Sequence, residues 1–269
     1  MAQTHLIVGA GNMGGALLSS WVGDSLVNPR NLVILDPKPG SEAVYLIERG
    51  ARHIEDADDI PKSVRVVLLA IKPQLFTGLS RKLAAALPAE PLIISIMAGT
   101  ATDTLARAFP DAIIVRAMPN TPAAVGRGIT AYAAGDSLSE EQAKLCEALL
   151  GANGEVIRVA DDRAIDAVTA ISGSGPAYIF HLCEALTDAA MQVGFDAKTA
   201  AQLARATLTG SSALLEASER SATELREAVT SPGGTTQAAL DVLMADGALI
   251  NLMRQTVQAA FDRAQELSG

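Results

Sequence analysis

Cysteine and histidine are scarce in this chain, and aromatic residues make up only 3% of it. The two cysteines, Cys146 and Cys183, stand far apart in apolar helical patterns, with no CxxC or Cys/His cluster beside them. That spacing excludes a disulfide framework and a zinc site, so no metal is expected and two buried free thiols are. The three histidines, His5, His53 and His181, are equally scattered, and His181 in an apolar helical pattern reads as a packed residue rather than a catalytic one. Basic residues are outnumbered by acidic ones, 21 against 30, for a net charge of -9. A surface of that sign opposes nucleic acid, so any anion site must be local. Long apolar runs are missing as well: charges break each of them before the roughly 18 residues that a membrane span needs. Residues 1–5 hold no Lys or Arg, which fits neither a signal peptide nor a membrane anchor. A cytoplasmic protein with no membrane and no nucleic-acid partner is expected.

What is present is apolar bulk: 49% of 269 residues, ample for a sizeable core. The first half alternates short β-branched runs at 6–8, 32–35, 66–71, 92–96, 113–115 and 129–133 with helical patterns, and a further short run lies at 156–159. Such alternation predicts a parallel sheet covered by helices, because strands buried on both faces are apolar throughout. Ser139 and Gln142 have capping-box spacing before a helix that Gly151 stops. From about residue 161 the texture turns to Ala/Leu-rich helices. Pro176 can open the first of them and Gly194 end it, Asp196 can cap the next, and Ser221 with Glu224 repeats the capping box. The expected fold is α/β, an N-terminal Rossmann-type domain over 1–160 with a second, all-helical C-terminal domain over 161–269 for substrate binding and dimerisation. Those helices are too apolar for one small domain to keep their outer faces in water, which predicts a tight dimer.

Chemistry concentrates in the turns. Gly9-Ala10-Gly11-Asn12-Met13-Gly14 is a GxGxxG set between the first strand and an apolar helix. Gly9 permits the tight turn, Gly11 lets backbone approach a pyrophosphate, Gly14 lets helix pack on strand, and the helix N-terminus at Asn12 and Met13 offers free N–H groups. A bare GxGxxG is weak, whereas this context points to a dinucleotide. Asp36 ends the second strand about twenty residues on, where an acid bonds the adenosine ribose and favours NADH. Lys38, two residues further, offers a cation for the 2′-phosphate of NADPH, so the choice stays open. Ala70 lies at the end of the third run with Lys72 and Pro73 after it, Ala98 and Gly99 follow the fourth, and Asn120, within Met118-Pro119-Asn120-Thr121-Pro122, the fifth. Each alone is an ordinary turn. Together, at one end of successive strands, they outline a nicotinamide and substrate cleft.

Two polar glycine-rich segments interrupt the helical half: Ser172-Gly173-Ser174-Gly175, and residues 230–236 with Ser231, Gly233, Gly234, Thr235 and Thr236. Both precede predicted helices, where hydroxyls and unpaired N–H groups suit a carboxylate. No GxSxG and no cluster of His, Cys or carboxylates suggests a hydrolase. Hydride transfer needs no such machinery from the protein, because the cofactor carries the hard step.

Taken in order, GAGNMGG, AIKPQ, MAG, RAMPNTP, ISGSGPAY and VTSPGGTT span almost the whole chain and closely resemble the pyrroline-5-carboxylate reductases. The last three motifs are the specific ones. The resemblance implies reduction of the cyclic imine of 1-pyrroline-5-carboxylate to L-proline by NADPH or NADH, the last step of proline biosynthesis. It also implies a homodimer with interlocked helical domains, commonly assembled into a ring of dimers. It assigns the substrate carboxylate to the 231–236 loop and sets the Thr236 hydroxyl near the imine nitrogen. Family members often carry a hydroxyl or basic residue after the second strand, and Asp36 departs from that pattern. Among other classes, a 3-hydroxy acid dehydrogenase needs a lysine in the first long C-terminal helix, and none occurs between Lys144 and Lys198. A non-catalytic dinucleotide sensor would have no use for VTSPGGTT.

Overall fold

The computed structural model describes residues 3–268; Met1 and Ala2, part of the N-terminal stretch weighed above, and Gly269 lie outside them. The chain divides into two compact units, one holding the residues up to Ser174 together with those from Ala260 on, the other Gly175–Ala259.

Among the described residues the first unit is built on eight strands: β1 (Thr4–Val8), β2 (Leu32–Leu35), β3 (Arg52–Ile54), β4 (Val64–Leu69), β5 (Leu92–Ser95), β6 (Ile113–Met118), β7 (Gly128–Ala134) and β8 (Gly154–Arg158). Their order in the sheet is β3-β2-β1-β4-β5-β6-β7-β8. The order reverses between β1 and β4, and at such a switch point the loops leaving the two strands diverge and open a crevice. Helices cover both faces: α1 (Asn12–Gly23), α2 (Ser41–Ile47), α3 (Pro73–Ala86), α4 (Thr102–Ala108), α5 (Glu140–Gly151) and α6 (Asp162–Val168). The alternation of strand side chains divides the core in two. Ile7, Ile34 and Leu68 pack with Leu17, Trp21, Leu46 and Leu150 on one face. Leu6, Val8, Val67 and Ile93 pack with Phe76, Leu83 and Leu105 on the other. Trp21 closes the first layer, its indole N–H donating to the Leu149 carbonyl at 2.6 Å.

Three features depart from the expected outline. β3 is an added edge strand, pairing only with β2; two of its three residues, Arg52 and His53, are polar, so it lacks an apolar run. β7 runs antiparallel to β6. The turn that joins them is too short for the crossover of a dozen or more residues that a parallel pair requires. The first unit also extends beyond 160: Ile165 on α6 is fully buried against Met118, Ala131 and Ala133, and a π-helical turn, Thr169–Gly173, follows it. Ser139 caps α5 with both halves of its box formed. Cys146 on α5 is buried, and burial pushes its thiol up to about 12.

The second unit is helical: α7 (Gly175–Gln192), α8 (Ala197–Ala217), α9 (Ala222–Ala228), α10 (Thr235–Met244) and α11 (Ala248–Ser268), whose last turns count with the first unit. Asp196 caps α8 through the Lys198 and Thr199 amides, and Ser221 with Glu224 closes the box on α9. Among the described residues of this unit only Ala200 and Ala204 are buried. Ile179, Phe180, Leu182 and Leu186 on α7 are exposed, as are Ile250 and Leu252 on α11. Cys183 is half-buried rather than buried, and His181 is exposed and paired with Glu184 at 2.9 Å rather than packed. No helix of the described residues is long and apolar enough to cross a membrane.

Candidate functional site

The crevice at the switch point is a cleft of about 880 Å³ whose walls include Gly9, Gly11, Asp36, Lys38, Ala70 and Lys72. Gly9 holds φ +89°, and a Cβ there would lie 2.7 Å from Ile71 Cγ2 and 2.8 Å from the Ala70 carbonyl oxygen, so only glycine fits the turn from β1 into α1, beside the loop that leaves β4. At Gly11 the space a side chain would fill is open. Gly11 also caps α1 without a side chain, which leaves the first-turn amides of Asn12 and Met13 facing whatever enters. At Gly14 a Cβ would strike the Gly9 carbonyl and lie 3.1 Å from Ala70 Cβ, so the third glycine lets α1 sit against the loop. These are the features a pyrophosphate cradle requires, and the residues present fit a dinucleotide.

Asp36 stands at the mouth of this cradle. Its Oδ2 accepts from the Ala10 N–H at 2.7 Å and its Oδ1 from the Lys38 N–H at 2.8 Å. The carboxylate therefore ties the end of β2 to the glycine loop while staying half-exposed. Lys38 is exposed. Lys72 caps α3 and Pro73 is its first residue, where the missing N–H costs nothing.

The loops after β5 and β6 also serve the fold itself. Ala98 is exposed. Gly99 holds φ +64° with Leu267 against it, its added Cβ falling 3.0 Å from Leu267 Cβ. That glycine admits the last turn of α11. Asn120 is buried, and its Oδ1 accepts from the Ile129 N–H at 3.0 Å, so its side chain braces β7. Among the described residues, Ala98, Gly99 and Asn120 are not in the walls of the switch-point cleft. Ser174 is half-buried and ends the π-helical turn, its N–H donating to the Thr169 carbonyl at 2.8 Å.

Behind these loops lies a cluster that sequence reasoning missed. Arg116 on β6 is 1% exposed, with Nη2 2.6 Å from Asp166 Oδ1 and Nη1 3.1 Å from Asp162 Oδ1. Asp162 also accepts from the Thr102 N–H and hydroxyl, and Asp166 from the Ser268 hydroxyl. The available signal was an arginine in an otherwise apolar strand, with two aspartates four apart on a later helix.

In the second unit the loop before α10 is shaped by Gly233 at φ +70° and by a turn in which the Gly234 N–H donates to the Ser231 carbonyl at 2.9 Å. Gly234 caps α10 without a side chain, which leaves the first-turn amides of Thr235 and Thr236 open. Among the described residues the hydroxyls of Ser231, Thr235 and Thr236 have no hydrogen-bond partner. Hydroxyls and free amides at a helix N-terminus are a setting for a carboxylate.

Comparison with known proteins agrees over both units. Residues 162–267 match the family model "Pyrroline-5-carboxylate reductase dimerisation", and residues 5–99 match "NADP oxidoreductase coenzyme F420-dependent". The pyrroline-5-carboxylate reductase of Synechocystis sp. is 37% identical over 97% of both chains, and that of Pisum sativum 34% over 97% of this chain and 94% of its own. The solved structure of the Coxiella burnetii reductase superposes with a TM-score of 0.91 at 33% identity, covering 100% of both chains. With kinship of this depth along its whole length, the chain belongs to the pyrroline-5-carboxylate reductase family.

Proposed function

We propose that this chain reduces the C=N bond of 1-pyrroline-5-carboxylate to give L-proline, closing proline biosynthesis, with NADPH or NADH as hydride donor. The observation that carries the reading is the 231–236 loop, where the Ser231, Thr235 and Thr236 hydroxyls and the first-turn amides of Thr235 and Thr236 are unspent, in a chain 37% identical to a curated reductase over 97% of its length. When bound, the reduced dinucleotide supplies a hydride to the imine carbon. The amides around Gly9, Gly11, Asn12, Met13 and Gly14 hold the pyrophosphate, and Asp36 and Lys38 meet the adenosine ribose. Ala70, Lys72, Pro73, Ala98, Gly99 and Asn120 shape the nicotinamide side. Ser174, Ser231, Gly233, Gly234 and Thr235 hold the substrate, with its carboxylate on the loop. Thr236 donates its hydroxyl toward the imine nitrogen, which gains electron density as the carbon is reduced; that bond strengthens in the transition state. A proton at nitrogen completes the amine. The C-terminal unit joins two chains in a homodimer, and such dimers assemble further into a ring in the cytoplasm; sedimentation at assay concentration reads the ring as a species larger than two chains.

Thr236→Ala is expected to lower kcat by roughly ten- to a thousandfold, by analogy with loss of one oxyanion donor. Ser231→Ala is expected mainly to raise KM for the imino acid, since a carboxylate contact is similar before and during hydride transfer. Following oxidation of NADPH and NADH with pyrroline-5-carboxylate checks both. Wild-type protein that oxidises neither cofactor with this substrate overturns the function, and an unchanged kcat in Thr236→Ala overturns the role of the hydroxyl.

A further inference from the structure

The end of β2 is held more firmly than a simple turn needs. Both carboxylate oxygens of Asp36 are engaged by backbone N–H groups, of Ala10 at 2.7 Å and of Lys38 at 2.8 Å. Its carbonyl oxygen lies 2.8 Å from Nε2 of His53, on the edge strand β3. A carbonyl only accepts, so the proton of that bond is on Nε2. Three contacts from three directions thus fix the position of one negative charge at the rim of the cleft. Each carboxylate oxygen keeps a further lone pair, enough for the two hydroxyls of a ribose.

The same fixed charge opposes a 2′-phosphate, which brings roughly two negative charges at neutral pH. Nearby cations offset it little. Lys38 binds Asp36 through its backbone N–H, and its side chain is exposed, where water and salt screen it. Lys82 pairs with Asp56 at 3.5 Å. Glu55 lines the adjoining hollow of about 420 Å³ together with Asp36 and Lys82, adding a second carboxylate.

We infer that Asp36 selects the cofactor, so that this chain uses NADH in preference to NADPH, and that His53 is the residue that positions Asp36 to do so. The inference rests on the reading of the switch-point cleft as a dinucleotide site. Its departure from the "NADP oxidoreductase" wording of the matching family model concerns this one rim.

Equilibrium titration of the full-length protein with NADH and with NADPH, without substrate and followed by nicotinamide fluorescence, separates the two levels. NADH is expected to bind at least about tenfold tighter, a modest value for like charges at a partly solvated rim. Asp36→Asn removes the charge but leaves one acceptor for two amides. Affinity for both cofactors falls, while the NADH/NADPH ratio drops to about one or below. His53→Ala is expected to weaken NADH severalfold at unchanged Tm, with His53→Gln, whose amide can donate to the same carbonyl, recovering part of the loss. Failure of both cofactors to bind wild-type protein overturns the dinucleotide reading itself. Binding of both with equal affinity, or with NADPH tighter, leaves that reading standing and overturns the selection by Asp36, as does an Asp36→Asn ratio equal to wild type. A His53→Ala protein with wild-type NADH affinity, or a His53→Gln protein no better than His53→Ala, removes His53 from the account.

Discussion

The two units of this chain use apolar residues in opposite ways. In the first, Val, Ile and Leu of the strands vanish into two layers under helices, and large side chains such as Trp21, Leu17 and Leu68 are fully buried. In the second, the helices pack so thinly that Phe180 is 64% exposed and Val242 73%. A helix stripe that faces water in one chain is a surface waiting for another, and a dimerisation domain is what residues 162–267 match. The first unit therefore closes its core within itself, and the second leaves apolar faces that a second chain can cover.

The largest effect that tests this contrast is expected inside the first unit. Arg116→Met leaves Asp162 and Asp166 without their cation in a buried setting, which costs about 3–5 kcal/mol. Trp21, the only tryptophan, sits in this unit, so its fluorescence in urea reads the loss directly. A shift below about 1 kcal/mol would mean that solvent reaches the cluster and that the first unit is not closed in the way described.

Next in size is Phe180→Ala. Removing an aromatic from a covered face costs on the order of 2–4 kcal/mol of association. Sedimentation is expected to show monomer at concentrations where wild type is dimeric, with the Trp21 transition unmoved. An unchanged dimer would remove this part of α7 from the shared face.

The smallest effect concerns His5, buried on β1 beside Trp21. Burial holds its imidazolium below the usual histidine range. The unfolded chain takes up a proton first as pH falls through about 6.5, so this stabilisation is complete above that value and is lost as pH drops toward the lower folded pKa. His5→Phe is expected to flatten the fall in Tm between neutral and mildly acid pH. An identical slope in the variant would assign the acid sensitivity elsewhere.

Much of this was legible along the chain. The strand runs, the glycine turn, the caps at Ser139, Asp196 and Ser221, and the α/β-then-helical plan all depend on residues within a few positions of one another. Local periodicity, turn geometry and N–H satisfaction at helix ends act over that range. The motifs that carry the family likeness are likewise short loops at element ends.

Tertiary structure alone decided the rest. Asp36 meets Ala10 across 26 positions, Arg116 meets Asp166 across 50, and Ser268 meets Asp166 across 102. No local rule relates such partners, because the sheet order brings them together. The same holds for β3, a polar edge strand that exists only because β2 offers it hydrogen bonds, and for the antiparallel sense of β7, which the short link from β6 imposes. Residue types and their local spacing determined the elements and the kind of chemistry. Which polar groups are spent on the fold, and which are left for ligands, was settled when buried donors and acceptors had to find partners within reach.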